Sequence, residues 1–145
     1  MPRYFTLAEA RQYLPAVSQA IREGIDARKT LQAAEHDRDV LREQIMFSGG
    51  MSVDQEAALR SRERRESSAA KLKQLLECFE EIGCVVKDLE IGLIDFPSLY
   101  RGKEVYLCWR LGEPDIAFWH RVEDGFAGRQ SIDDAFGREC RGDTD

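Results

Sequence analysis

The stretch EVYLCWRLGEPDIAFWH, residues 104–120, decides the reading of the fold. Its first half alternates. Val105, Leu107, Trp109 and Leu111 fall on one side, and Glu104, Tyr106, Cys108 and Arg110 on the other. A period of two with one apolar side is the pattern of a strand that buries one face. Gly112-Glu113-Pro114-Asp115 then supplies turn formers. After the turn, Ile116, Phe118, His120 and Val122 oppose Ala117, Trp119 and Arg121. So short a link cannot make a parallel crossover, so the two strands are antiparallel neighbours.

Working outward from this hairpin, the spacing predicts four strands: Cys84–Leu89, Leu93–Phe96, Glu104–Leu111 and Ile116–Val122. Glu90-Ile91-Gly92 separates the first two, and a turn from Pro97 to Gly102 separates the next two. One face of this sheet is expected to cover helices and the other to stay partly open.

Before residue 83 the pattern is helical. Thr6 and Glu9 form a capping box, and Leu7, Leu14, Val17, Ile21, Ile25, Leu31, Ala34, Leu41 and Ile45 fall on one stripe. Pro15 lacks an N–H and its ring crowds the preceding turn, which predicts a short first helix, a kink or break, then a long helix. Ser48-Gly49-Gly50 ends the run. Ser52 with Gln55 caps a second helix over 53–82, and Gly83 terminates it. Two long helices joined by a short loop pack antiparallel. A helix of that length spans roughly 45 Å, more than a small sheet can cover. The base is therefore expected to pack on the sheet and the tip to project, closed by Leu41, Ile45, Val53 and Leu59. The predicted fold class is α+β: a long antiparallel helical hairpin packed against a small antiparallel β-sheet of about four strands. Residues 1–132 read as one domain, with the hairpin at 4–83, the sheet at 84–122 and a Gly-rich loop at 123–132. Residues 133–145 are polar and read as a flexible tail.

The composition agrees. Of 145 residues, 43% are hydrophobic and 33% charged, with net charge −6. That excludes a chain disordered throughout. No apolar run approaches the roughly 20 residues of a membrane span. The acidic balance argues against a generic nucleic-acid binder. It is unevenly spread: charges nearly balance through residue 82, and the acidic excess lies in the sheet and tail. The N-terminus carries no secretory pattern, and Cys78, Cys84, Cys108 and Cys140 form no CxxC pair, so reduced thiols in a cytoplasm are expected. Cys78 and Cys108 read as buried small hydrophobes.

Four stretches and the helical spacing between them resemble a known family: FTLAEA at 5–10, VKDLEIGLIDFP at 86–97, EVYLCWRLGEPDIAFWH at 104–120 and GFAGRQ at 125–130. They resemble a bacterial family catalogued as domain of unknown function 2203, over about residues 4–132. The resemblance implies no activity, substrate or cofactor, and carries no residue role with it. It places the distinctive motifs in the β half.

The residues offer several candidate sites. Asp95, Cys108, Arg110, Glu113 and His120 combine carboxylate, thiol and imidazole on adjacent strands. They are ligand or metal candidates, or an acid–base pair in which a carboxylate orients His120. Against this, Asp95 reads as a turn cap, and Arg110 as an ion-pair partner of either acid. No metal is asserted, and catalytic residues and cofactors stay unassigned. Arg129, in the loop Asp124-Gly125-Phe126-Ala127-Gly128-Arg129, is an anion-binding candidate beside two glycines, set against a plain surface turn whose Phe126 tucks onto the sheet. Arg60, Arg62, Arg64 and Arg65 are interleaved with Glu56, Glu63 and Glu66, so internal ion pairs account for them better than RNA contact does. Of Trp109 and Trp119, at least one is expected in the core and the other on the hairpin base.

The leading expectation is a non-enzymatic, cytoplasmic interaction or scaffold module that self-associates as a homodimer, or binds a protein, through the hairpin. Nucleic acid and membrane are not expected partners. The alternative is a small-molecule or metal-binding domain with a polar site around Asp95, Arg110, Glu113 and His120. That alternative requires Asp95 and His120 on one face of the sheet.

Overall fold

The computed structural model describes residues 3–47 and 55–143. Helices α1 (Leu7–Phe47) and α2 (Gln55–Ile82) form the expected hairpin. Four strands follow, β1 (Val85–Asp88), β2 (Leu93–Tyr100), β3 (Lys103–Arg110) and β4 (Phe118–Arg121). After a 3₁₀ turn at Phe126–Gly128 come β5 (Gln130–Ser131), α3 (Asp134–Glu139) and β6 (Cys140–Arg141). The sheet is antiparallel throughout, in the order β1-β2-β3-β4-β5, with β6 paired to β2. The fold is therefore α+β as predicted, and β5 and β6 add two short strands to the expected four. No helix among the described residues is long and apolar enough to cross a membrane.

The chain divides into two compact units. One comprises Met1–Arg22 with Leu76–Asp145, the other Glu23–Leu75.

In the first unit the capping box forms as read. The Glu9 N–H donates to Thr6 Oγ1 at 3.1 Å and the Thr6 N–H to Glu9 Oε1 at 3.3 Å. Gly83 closes α2 at φ +97°, its N–H donating to the Phe79 carbonyl at 2.9 Å. The register pairs Asp95 with Cys108, Ile94 with Trp109 and Leu107 with Trp119. This sorts the strands into two faces. Ile94, Phe96, Val105, Leu107 and Trp109 lie on the first face, all buried, as are Phe5 just before α1 and Val17, Ile21 and Phe79 of the helices. Phe5 meets Phe96 edge-on with ring centroids 5.4 Å apart.

Three expectations change. α1 runs unbroken through Pro15. Arg11 and Pro15 are both exposed, so water can satisfy the carbonyl that loses its partner. Second, β2 does not turn at Pro97 but runs on to Tyr100. The Pro97 carbonyl accepts from the Phe5 N–H at 2.8 Å, on the edge away from β3. The missing proline N–H lies on that same edge, so the β3 ladder loses nothing. The turn is the pair Arg101-Gly102, both with positive φ (53° and 76°), as a two-residue hairpin requires.

Third, the expected flexible tail is ordered structure over residues 133–143. The Asp133 carboxylate caps α3 by accepting from the Phe136 N–H at 2.7 Å. Phe136 is buried and stacks on Trp119, centroids 4.5 Å apart and planes 14° from parallel. Trp119 thus packs on α3 rather than on the hairpin base, whereas Trp109 is core. β6 completes the β2 edge, where Leu99 and Tyr100 face Arg141 and Cys140. Gly142 lies so close to the N-terminal segment that a Cβ there would fall 2.8 Å from Thr6 N. The polar composition of this segment hid its one anchoring aromatic.

In the second unit, small residues seven apart are buried: Ala27 and Ala34 on α1, Ser61 and Ser68 on α2. Ser61 Oγ donates to the Ala34 carbonyl at 3.1 Å, and Arg64 pairs with Asp37 at 3.2 Å. Such side chains let the helices approach closely. Ser48, Gly49, Gly50, Ser52 and Val53 lie outside the described residues. Of the other residues expected to close the tip, Leu41 is half-buried, and Ile45 and Leu59 are exposed.

Because Phe136 fills a site between Trp119 and Tyr100, Phe136→Ala is expected to destabilise the protein by about 3–5 kcal/mol in urea unfolding. A segment with no native contacts would change stability by less than about 0.5 kcal/mol.

Candidate functional site

The second face of the sheet carries the polar residues. Alternation puts Asp95 of β2, Tyr106 and Cys108 of β3, and Phe118 and His120 of β4 on it. Asp95, Cys108 and His120 are buried, and one ligand atom from each lies within 4.8 Å of the others. Both Asp95 carboxylate oxygens stand 3.1 Å from His120 Nε2. Asp95 and His120 therefore share a face, as the alternative expectation requires. Asp95 is mid-strand, not a turn cap.

His120 Nδ1 is 2.8 Å from the Arg121 carbonyl. A carbonyl can only accept, so Nδ1 carries the hydrogen, and Nε2 is the nitrogen turned on Asp95. The Tyr106 ring lies against the imidazole at 5.4 Å, and Lys87 Nζ sits 5.0 Å from the Tyr106 ring centre. Lys87 falls in the register irregularity between Val86 and Asp88, a device that re-aims a side chain at a sheet edge. With Val122, Asp124, Gly125 and Phe126 these groups surround an open pocket of about 340 Å³ that has Asp95 and His120 in its wall.

The rest of the predicted set separates from this trio. Arg129 Nη2 donates to both oxygens of Glu113, at 2.6 and 2.8 Å. Its guanidinium lies between Phe118 and Phe126, 4.1 and 4.7 Å from the ring centres. Its Nε is buried with no acceptor among the described residues. The anion-binding candidate is thus committed to a carboxylate, and the Gly-rich loop serves to seat it. Phe126 meets the guanidinium while staying partly exposed. Arg110 is exposed on the same face, and only its backbone N–H reaches Glu113, at 2.6 Å. Of the arginine cluster on α2, Arg60 pairs with Glu56, Arg62 with Glu66 and Arg64 with Asp37, while Arg65 donates to Ser61 Oγ at 3.2 Å.

The arrangement restricts the chemistry. A nucleophilic triad needs a reactive thiolate beside one imidazole nitrogen and an orienting acid on the other. Here the acid occupies Nε2, a carbonyl holds Nδ1, and Cys108 is fully buried. Burial pushes its thiol up to about 12, with the Asp95 charge adding and Arg129 opposing. No imidazole nitrogen remains to act as a base toward the pocket. What the trio does offer is three donor atoms of different type converging on one space.

The sequence reading grouped Asp95, Cys108 and His120 with Arg110 and Glu113 as polar residues on adjacent strands, without assigning them one face. It missed Lys87, which depends on a bulge, and the Arg129–Glu113 clamp, whose partners are brought together by the β4–β5 return. The Phe-flanked arginine in a Gly-rich loop was its one available signal.

Two predictions follow from burial and charge. Cys78, expected to be buried, is instead exposed, because it falls on the outward side of α2, whereas Cys84, Cys108 and Cys140 are buried and all four are free; burial also raises the Cys84 thiol to about 12. A thiol reagent at neutral pH should therefore label one cysteine quickly in the folded protein and the others only after denaturation, read by mass spectrometry. Glu113→Ala leaves the half-sandwiched guanidinium of Arg129 without its carboxylate; a loss of about 3 kcal/mol in urea unfolding is expected.

The model of the DUF2203 family, described as an uncharacterized conserved protein, matches residues 3–132 of this chain. The matched range holds the whole polar site and ends just before α3 and β6. No curated protein and no solved structure matches the chain.

Proposed function

The chain belongs to the DUF2203 family of uncharacterised conserved proteins, and for this member we propose a binding module whose ligand site is the pocket on the second face of the sheet. The reading is carried by one observation. A carboxylate and an imidazole, 1% and 5% exposed, face each other in the wall of an open pocket. A buried carboxylate–imidazole pair is weak as a stabilising device, since apolar residues of like volume often serve as well or better. Binding is favoured over catalysis because both imidazole nitrogens are engaged and the only nearby thiol is buried. Arg110 and Glu113, first grouped with this site, are left out of it; Tyr106, Lys87 and Asp124 take their places as lining. Four free thiols suit a reducing cytoplasm.

Amide spectra recorded with a panel of small carboxylates, amines and divalent cations test the reading. Shifts should centre on Lys87, Asp95, Tyr106, His120 and residues 122–126, and vanish in a folded Asp95→Asn variant. A response unchanged by that substitution, or none to any member of the panel, removes the reading.

A second reading has its own support in the Glu23–Leu75 unit. Val40, Ile45, Met46, Phe47 and Leu59 are exposed apolar side chains there, with Met46 and Phe47 at 79% and 86%. The module would self-associate as a homodimer through these helices, extending the heptad-spaced Ala27/Ala34 and Ser61/Ser68 contacts in coiled-coil fashion. Light scattering should then report a dimer that dissociates when Met46 and Phe47 are both changed to Ser. A monomer at every concentration reached sinks this reading and leaves the pocket untouched.

A further inference from the structure

We infer that the ligand of the pocket is a single zinc-class transition-metal ion held by Cys108 Sγ, His120 Nε2 and the Asp95 carboxylate. The inference rests on the proposed reading of that pocket as the binding site.

The donor set comes first. One sulfur, one nitrogen and one carboxylate oxygen match borderline-soft ions of the zinc class, whereas calcium and magnesium take oxygen ligands. The three residues stand on adjacent strands of one rigid ladder, not on a mobile loop.

Geometry comes next. Zinc–ligand bonds of about 2.0–2.3 Å at tetrahedral angles separate ligand atoms by roughly 3.3–3.7 Å. The Nε2 to Asp95 oxygen distance is already 3.1 Å, and all three ligand atoms lie within 4.8 Å. Rotamer adjustments of about 1 Å would close the set around an ion.

The orientation of the imidazole is the most telling feature. Nδ1–H is spent on the Arg121 carbonyl. That bond fixes the ring and turns Nε2 on the space shared with Asp95 and Cys108; a bound ion would take the place of the hydrogen between Nε2 and the Asp95 carboxylate, with the ring held the way outer hydrogen bonds orient histidine ligands. Without a cation, Nε2, two carboxylate oxygens and a thiol sulfur crowd one buried space, and only hydrogens can join them. A divalent ion there is balanced by one carboxylate and one thiolate, so the buried cluster is neutral.

The protein supplies three ligands, and the pocket adjoins two of them. The fourth position therefore opens toward Tyr106 and Asp124 and is left to water or an external donor. This is the open type of site rather than a closed structural knot of four side chains.

Cobalt(II) is the probe. The chelator-treated full chain, titrated with cobalt(II), should bind one ion and develop the intense visible bands of a four-coordinate site with a thiolate-to-cobalt band in the near ultraviolet. Zinc(II) should displace it. Cys108→Ser should lose the near-ultraviolet band, His120→Ala should weaken binding roughly 100-fold or more, and Cys78→Ser should change nothing. The nearly isosteric Cys108→Ser keeps the test alive where His120→Ala fails to fold. A thiolate band that survives Cys108→Ser, or cobalt bound only with the weak bands of six-coordination, overturns the inference. An Asp95-dependent response to a non-metal ligand without any cobalt band overturns the metal and keeps the pocket. Silence toward cobalt and toward the whole panel overturns both.

Discussion

The antiparallel register of β2, β3 and β4 is the constraint on which the site depends. It pairs Asp95 with Cys108 and Tyr106 with His120 while placing Ile94, Phe96, Leu107 and Trp109 on the opposite face. A slip of one residue would exchange the two faces. Exposing those four apolar side chains would cost about 1.5–3 kcal/mol each, which together rivals the whole stability of a domain of this size. The hydrophobic face therefore sets the register, and the polar row on the back follows from it. The trio needs no precision of its own to assemble.

The β2 edge shows how the ends of the chain support that ladder. β1 pairs only with residues 93–95, and β6 only with 99 and 100. Between them Phe5 bonds Pro97, and Ser98 Oγ donates to the Phe5 carbonyl at 2.6 Å while lying 2.7 Å from Cys140 Sγ. Three segments distant in sequence thus close one edge, a position that would otherwise invite pairing with another chain. The proline stands where no ladder hydrogen bond is asked of its nitrogen.

Much of this was legible in the residues, and the exceptions have physical causes. Thr6 and Glu9, Gly83 and the alternation of β3 are local signals, complete within a few positions, and each formed as read. Pro97 misled because its conflict with a strand depends on which edge faces a neighbour, and that neighbour, Phe5, is far away in sequence. The segment after Ile132 misled because a single aromatic, Phe136, anchors it, and composition averages over single residues. Asp95, Cys108 and His120 could be grouped with Arg110 and Glu113 because they lie on or beside neighbouring strands, but which of them share a face is settled by the pairing register. The pairing of Glu113 with Arg129 depends on how the chain returns after β4, which no local pattern encodes.

The second face raises a question of economy that the first does not. A sheet that needed only stability could cover this row with aliphatic side chains, since a buried carboxylate and imidazole must first lose their water. A structural pair would be complete with one charge-assisted hydrogen bond, and the thiol beside it would add little. Here the thiol is buried beside the same carboxylate, its sulfur within 4.8 Å of the other two donor atoms. A bound ion would recover that cost, because binding free energy at a site formed only in the fold adds to folding free energy. With an ion bound there, the polar row would add to the stability of the sheet, while its apolar face holds the ladder in register either way.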